Sequence, residues 1–298
     1  MYDLIIRQAR VFDGLGHPGV VADVAVQNGV VAEIGAVTGA AKQEIDANGL
    51  SLMPGIVDLH THFDAQVTWD PTMSPSPALG VTTVVMGNCG FGITPCPAEH
   101  RETMMKNLSV VEGMDLNSLL NGINWNFETF KEYMDQLRAT KPYLNTALFV
   151  GHSVVRTAVM GTAGSEKVAP STQELEAMCQ LVREAMQAGA IGFASSFSPN
   201  HSGYGGIPMP STIATEEELL ALSGVMKEFD KGVFMMATGA RATPEVIEKV
   251  AANSGRPAFI STVLSMYNPA TPDLAITYYE KAEQARARGN EVYILTSC

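Results

Sequence analysis

Cysteine is scarce in this 298-residue sequence, and its four copies, Cys89, Cys96, Cys179 and Cys298, are too few and scattered for a disulfide framework. The sequence also lacks any apolar run long enough to span a membrane. Its first residues, "MYDLIIRQARVFDG", lack the basic start and apolar core of a signal peptide. These absences predict a cytoplasmic protein.

Basic residues are outnumbered, with 19 lysines and arginines against 31 acidic residues and a net charge of −12. Nucleic acids and anionic membranes both attract a basic face, so neither is an expected partner. Hydrophobic residues make up 46% of the chain, which allows a large buried core. We therefore expect a globular protein with a small-molecule partner.

Residues 1–55 have the pattern of a small β module. Apolar residues alternate in "DLIIRQARVF" and "ADVAVQNGVVAEIG", and Asn28-Gly29 is typical of a tight hairpin turn. The pattern changes at residue 56, where the second predicted domain, 56–298, begins.

Residues 56–298 alternate apolar, β-branched runs with helical stretches. Such alternation predicts an α/β fold in which helices cover a parallel sheet, and a (β/α)8 barrel fits best. Seven strands are counted rather than eight, at residues 56–60, 81–87, 146–151, 190–195, 233–238, 258–263 and 291–296.

Helix start signals support this assignment. Ser171 with Glu174, and Thr215 with Glu218, match the capping-box pattern, and Thr243 precedes a proline suited to the first helical turn. A last helix is predicted to stop at Gly289.

The segment "GIVDLHTHFDAQ" (55–66) carries His60 and His62, with Asp64 two residues further on. Residues two apart in a strand share a face, so both imidazoles would project at the C-terminal end of the first barrel strand. Barrel active sites lie at that end, and imidazole pairs suit zinc. The pair alone is a weak signal, but its position after a Pro-Gly turn and an apolar strand favours a metal site.

A second segment, "VTTVVMGNCGFGITP" (81–95), places Cys89 just after the second strand. Its thiolate could be a metal ligand, and a nearby cation would lower its pKa. An inert buried cysteine is the alternative, although the flanking glycines indicate a shaped loop. From the residues alone both interpretations stay open.

Four segments in this order, "LMPGIVDLHTHFDAQVTWDP", "GVTTVVMGNCGFGITP", "VGHSVVRTAVMG" and "GAIGFASSFSPNHSGYGGIPMPS", resemble the N-acyl-D-amino-acid deacylase branch of the amidohydrolase superfamily. The resemblance implies a metal-dependent barrel with a small β-sandwich-like domain built from both chain ends. It implies hydrolysis of the amide of an N-acyl-D-amino acid. His60 and His62 match the branch's paired histidines, and Cys89 matches its bridging ligand.

The resemblance also implies parts that this chain lacks. The branch's general base, an aspartate at the end of strand eight, would fall beyond Cys298, as would the last barrel strand and the rest of the small domain. The branch has histidines after strands five and six, where this sequence has Gly239 and Thr262. Because neither replaces imidazole as a zinc ligand, one metal held by the three remaining ligands is expected rather than a tight pair.

Further candidates lie in loops expected at the barrel mouth. Asp64 and His152 are weak catalytic candidates, and His152 is equally consistent with a structural role. The candidates for substrate binding are Arg241, His201, Tyr204 and Tyr267. A guanidinium at Arg241 could clamp a substrate carboxylate, or instead bond to a neighbouring loop.

Two other functions stay open. Cyclic amidohydrolases of the dihydroorotase or hydantoinase kind share the paired histidines, but many use a strand-four lysine that "AIGFASSFS" lacks. A catalytically silent barrel that binds a ligand or partner would explain Gly239 and Thr262. A barrel without its last strand would have open sheet edges, which predicts a homo-oligomer or aggregation.

Overall fold

The computed structural model describes residues 1–261 and 269–296, so Thr262, Tyr267 and Cys298 lie outside the described residues. The chain divides into two compact units, Met1–Ile56 and Val57–Cys298. No helix in the described part is long and apolar enough to cross a membrane.

The first unit is one five-stranded sheet. Its strands are β1 (Tyr2–Val11), β2 (Val20–Gln27), β3 (Val30–Gly35), β4 (Ala41–Asp46) and β5 (Ser51–Leu52). The order is β3-β2-β1-β4, with β5 also paired to β1. Asn28 and Gly29 both have positive φ, 53° and 75°, as the predicted hairpin turn requires. The predicted sandwich-like domain would need a second sheet, and that part stays a prediction.

The second unit is built on a seven-stranded sheet. Its strands are β6 (Ile56–Asp58), β7 (Val81–Met86), β8 (Asn145–Gly151), β9 (Gly192–Ser196), β10 (Val233–Ala237), β11 (Ala258–Ser261) and β12 (Val292–Ile294). They lie in chain order, and the pairs from β7 to β12 are parallel. Each predicted strand is present, so the α/β architecture is confirmed.

Helices lie between the strands along the chain. They are α1 (Arg101–Val111), α2 (Leu116–Gly122), α3 (Phe130–Thr140), α4 (His152–Met160), α5 (Thr172–Ala188), α6 (Glu216–Gly224), α7 (Pro244–Ser254) and α8 (Leu274–Ala287). Alternate strand residues enter two different cores. Met86, Phe193 and Met236 pack with the helices, whereas Val85 and Met235 belong to a smaller cluster. This division follows from the two-residue period of a strand.

The predicted helix starts are confirmed with one difference. At Ser171 and Glu174 both capping-box bonds form, and Thr243 accepts a hydrogen bond from a backbone N–H of α7. Thr215 accepts from the backbone N–H of Glu218, but the Glu218 side chain does not return to it. Instead the Glu218 carboxylate is buried in the core.

Glu218 joins a fully buried polar network. One oxygen of Glu218 lies 3.0 Å from Nε2 of His152, and the other accepts from Arg156 at 2.5 Å. The remaining nitrogen of His152 lies 2.8 Å from the Ser195 hydroxyl. Burial opposes ionisation of Glu218, yet contacts with His152 and Arg156 hold its pKa below the ordinary value. We infer that an Arg156–Glu218 ion pair ties α4 to α6.

Replacing Glu218 with glutamine should destabilise the protein severely. The buried Arg156 guanidinium would lose its counter-charge, and breaking one side of a buried pair typically costs about 3 kcal/mol or more. Urea unfolding measures the loss, and Glu176→Gln, an exposed change on α5, is the matched control. Equal stability of the two variants would contradict the ion pair.

Candidate metal centre

The paired histidines lie just beyond β6 rather than within it. The strand ends at Asp58, and the backbone N–H and hydroxyl of Thr61 both donate to the carbonyl of Val85 on β7, at 3.0 and 2.7 Å. The assumption that His60 and His62 share a strand face is therefore wrong in detail. The loop still brings their rings to 5.3 Å between centroids.

The loop after β7 places Cys89 by close backbone packing. A Cβ on Gly87, whose φ is +76°, would lie 2.3 Å from the carbonyl oxygen of Phe149 on β8. A Cβ on Gly90 would lie 3.1 Å from the carbonyl oxygen of Ala194 on β9. Between these glycines Cys89 has φ 56°, in the left-handed region that cysteine rarely adopts. Such strain recurs at functional sites.

Three candidate ligands come together here. Nε2 of His60 lies 3.2 Å from Sγ of Cys89, and the ligand atoms of His60, His62 and Cys89 all lie within 4.8 Å of one another. Zinc bonds of about 2.0–2.1 Å to nitrogen and about 2.3 Å to sulfur place tetrahedral ligand atoms roughly 3.3–3.6 Å apart. The nitrogen and sulfur donors therefore suit zinc, and the contact between His60 and Cys89 has nearly the separation of two zinc ligands.

One ring nitrogen of each histidine faces a polar group. Nδ1 of His60 lies 2.8 Å from the hydroxyl of Ser261, at the end of β11. Nδ1 of His62 lies 3.2 Å from a carboxylate oxygen of Glu112, but is buried without hydrogen-bond geometry. Sequence reasoning missed both partners. Ser261 could have been found as the last residue of a predicted strand, whereas no motif marks Glu112.

Burial keeps the histidines of this region neutral. It lowers the pKa of His62 to about 3, with His60 and His201 lowering it further. It lowers the pKa of His201 to about 4, again with a contribution from His60. The pKa of His60 is lowered as well, against an opposing effect of Asp58. Neutral imidazole is the form that binds metals.

Burial also shifts the acidic groups beside the histidines toward their uncharged forms. Burial raises the pKa of Asp64 to about 7, opposed by a backbone hydrogen bond from Gly87. It raises the pKa of Glu112 to about 8, with Asp64 adding to the effect. The pKa of the Cys89 thiol is raised by burial and by Glu112. A cation bound here would reverse these effects, because it stabilises the anionic forms.

One cavity is lined by the paired histidines and a second by His201. The first, of about 320 Å³, is lined by Asp58, His60, Thr61, His62, Phe63, Gln66, Ser76, Glu112 and Met114. The second, also about 320 Å³, is lined by residues that include Phe197, His201, Ile213 and Arg241. The Phe91 ring links the two regions, at 6.1 Å from His62 and 4.9 Å from His201.

Arg241 lies at the rim of the second cavity. Its guanidinium stacks over Phe197 at 4.4 Å from the ring centroid and donates to the carbonyls of Thr212, at 2.8 Å, and Ala214. Among the described residues no carboxylate pairs with it. His201 is also held in place, with Nδ1 2.7 Å from the Ser196 hydroxyl.

The other predicted site residues are dispersed. His152 is fully buried in the network with Glu218, and both its nitrogens have partners. Asp64 is buried, and within the described ranges its Oδ2 has no hydrogen-bond partner. Tyr204 is about half exposed, with the Lys106 ammonium 5.6 Å from its ring centroid. Tyr267 lies outside the described residues.

Gly239 is enclosed by backbone. A Cβ there would lie 3.1 Å from both the carbonyl oxygen of Phe197 and Cα of Ser198. The loop after β10 therefore packs closely against the segment after β9. The close approach gives a steric reason for glycine at this position.

Comparison with known proteins identifies relatives of this chain. An amidohydrolase-family profile matches residues 43–290. The D-aminoacylase of Alcaligenes xylosoxydans xylosoxydans is 36% identical over 221 residues, which cover 74% of this chain and 41% of that protein. The resemblance to the deacylase branch is thus confirmed.

Solved structures agree with this relationship. N-acyl-D-glutamate deacylase from Bordetella bronchiseptica, complexed with zinc and a phosphonate mimic of the tetrahedral intermediate, matches with a TM-score of 0.78 at 26% identity, covering 98% of this chain and 58% of that chain. A D-aminoacylase with a binuclear metal centre matches with a TM-score of 0.78 at 28% identity, covering 99% and 58%. This chain therefore spans less than two thirds of the length of these relatives. It belongs to the amidohydrolase family.

Proposed function

We propose that this chain carries the metal-binding half of a hydrolase that cleaves the amide bond of N-acyl-D-amino acids. The observation that carries the proposal is the cluster of His60, His62 and Cys89 at the C-terminal ends of β6 and β7. These donors suit zinc, and related deacylases are similar over most of this chain.

His60, His62 and Cys89 would hold one divalent metal, most suitably zinc. When bound, the metal supplies a Lewis acid and lowers the pKa of water. The Ser261 hydroxyl holds the His60 ring with Nε2 toward the cluster. In the related D-aminoacylase one metal activates and a second attenuates, so a single-metal site is consistent with activity.

The second cavity would receive the substrate. Arg241 provides a guanidinium that no carboxylate among the described residues neutralises, and Phe197 and Ile213 provide an apolar wall. His201 lines this cavity and contacts the Phe91 ring, which also lies beside His62, so His201 could orient the amide. Tyr204 and Tyr267 are proposed as further binding residues, and Tyr267 lies outside the described residues.

The seven-stranded sheet is proposed as part of a (β/α)8 barrel, with 1–55 as the small β domain and 56–298 as the barrel. By the resemblance to the deacylase branch, the general base would be an aspartate at the end of strand eight of a complete barrel. Asp64, with an unpaired buried oxygen among the described residues, is the other candidate proton acceptor.

The strands β6 and β12 each have one neighbour in this sheet, which leaves one edge of each strand open. Self-association of the protein through these edges is therefore also proposed.

Cyclic amides are the second candidate substrate class. Structural likeness to an L-hydantoinase, at 18% identity and a TM-score of 0.61, shows a shared fold alone. The strand β9 has no lysine, which disfavours this class. A silent, ligand-binding barrel is the third candidate, and metal content with hydrolysis assays on linear and cyclic amides separates all three.

Purified protein should contain about one equivalent of zinc, because three ligands and an open position form a workable site. The His60→Ala, His62→Ala double variant should lose it by elemental analysis. His17→Ala, in the other compact unit, is the matched control and should keep its metal. No zinc in the wild type, even after zinc is supplied, would refute the metal site.

Gly239→His should not create a second metal site. Any Cβ at 239 meets backbone of residues 197 and 198, so the change should destabilise by about 1–3 kcal/mol, as overpacking typically does. Zinc stoichiometry and thermal unfolding measure both effects, beside Ala252→His at an exposed position of α7. A doubled zinc content with unchanged stability would show this steric argument to be wrong.

Arg241→Gln should weaken binding of N-acyl-D-amino acids selectively. Loss of a charge-assisted hydrogen bond of about 1.5–3 kcal/mol would raise the Kd measured by calorimetry roughly 10- to 150-fold. A substrate whose carboxylate is replaced by a primary amide should be affected far less, and Arg138→Gln on α3 is the control. Equal losses on both substrates would mean that Arg241 only supports its loop.

A further inference from the structure

Glu112 is the unexplained carboxylate of the metal centre. It is the residue that caps the C-terminus of α1, and its side chain reaches His62 across fifty positions of sequence. Its side chain and that of His62 are only 16% and 19% exposed. Within the described ranges no lysine or arginine pairs with it. A carboxylate buried without a cation is costly, so its placement requires another reason.

Each of the two histidines has its Nδ1 beside a polar side chain. Nδ1 of His60 is held by the Ser261 hydroxyl, which leaves Nε2 facing Cys89. Nδ1 of His62 lies 3.2 Å from Oε1 of Glu112 and has no hydrogen-bond partner in the described part of the chain. A proton on this nitrogen would complete the contact after a small rotation and would leave Nε2 as the lone-pair donor.

We propose that Glu112 is a positioning residue for the metal centre. Its carboxylate accepts a hydrogen bond from Nδ1–H of His62, fixes the tautomer and ring orientation, and so presents Nε2 to the metal. Carboxylates behind metal-bound histidines also increase the basicity of the ligand, and their loss typically lowers metal affinity about 10- to 100-fold. This inference rests on the metal site proposed above.

The proposal separates Glu112 from the ligand set. Glu112 does not belong to the group of atoms within 4.8 Å of one another, which contains His60, His62 and Cys89. Its effect should therefore be on how tightly the metal is held, not on which atoms bind it. The carboxylate's position on the rim of the first cavity agrees with a supporting role.

The test is metal affinity, measured with Zn²⁺ against a chromophoric chelator, together with the absorption spectrum of the Co²⁺-substituted protein. Glu112→Gln should lower Zn²⁺ affinity about 10- to 100-fold while the Co²⁺ bands from thiolate and tetrahedral coordination persist. Glu112→Asp, which retains the charge on a shorter side chain, should fall between. Glu102→Gln at the other end of α1 is the control, with wild-type affinity expected.

Three results would overturn the proposal. Affinity of Glu112→Gln within twofold of wild type would leave Glu112 without a role at the metal. Loss of the tetrahedral Co²⁺ bands in that variant would make Glu112 a direct ligand instead. Failure of the wild type to bind Zn²⁺ or Co²⁺ would refute the proposed metal site itself. This result is distinct from a failure of the Glu112 proposal, because it is seen with the wild type before any variant is compared.

Discussion

The contact on which the metal centre depends is backbone packed against backbone. The loop 87–90 sits directly on the ends of β8 and β9, and a Cβ at Gly87 would strike Phe149. The residue that faces this loop from the end of β8 is also a glycine, and a Cβ at Gly151 would lie 2.6 Å from the carbonyl oxygen of Gly90. Glycine on both sides of this contact permits an approach that no other residue allows. Cys89 is thereby fixed against the paired histidines.

The site combines neutral donors with buried acids and no cation among the described groups. Burial favours the uncharged forms of His62, Cys89 and Glu112 in the chain by itself. A divalent ion would repay the cost of their burial, because it pairs with thiolate and carboxylate in a region of low dielectric. The electrostatics and the ligand chemistry thus both support the proposed metal site.

Much of the fold and part of the site could be predicted from sequence. Strand and helix periodicity located the seven strands, and the His-x-His pair and the glycine-flanked Cys89 located the cluster. Prediction failed where a side chain acts across the fold. Glu218 has the spacing of a capping box, yet its carboxylate is buried with Arg156. Glu112 lies at a helix end with no motif, and only tertiary packing brings it to His62.

The left-handed backbone of Cys89 has a consequence for how this site could be lost in evolution. Serine resembles cysteine in size but is no better suited to a φ of 56°. Glycine and asparagine accept that conformation readily. A descendant that abandons the metal would therefore keep the loop most easily by exchanging the thiol for glycine or asparagine. The backbone, more than the chemistry of the lost sulfur, would determine which residue succeeds it.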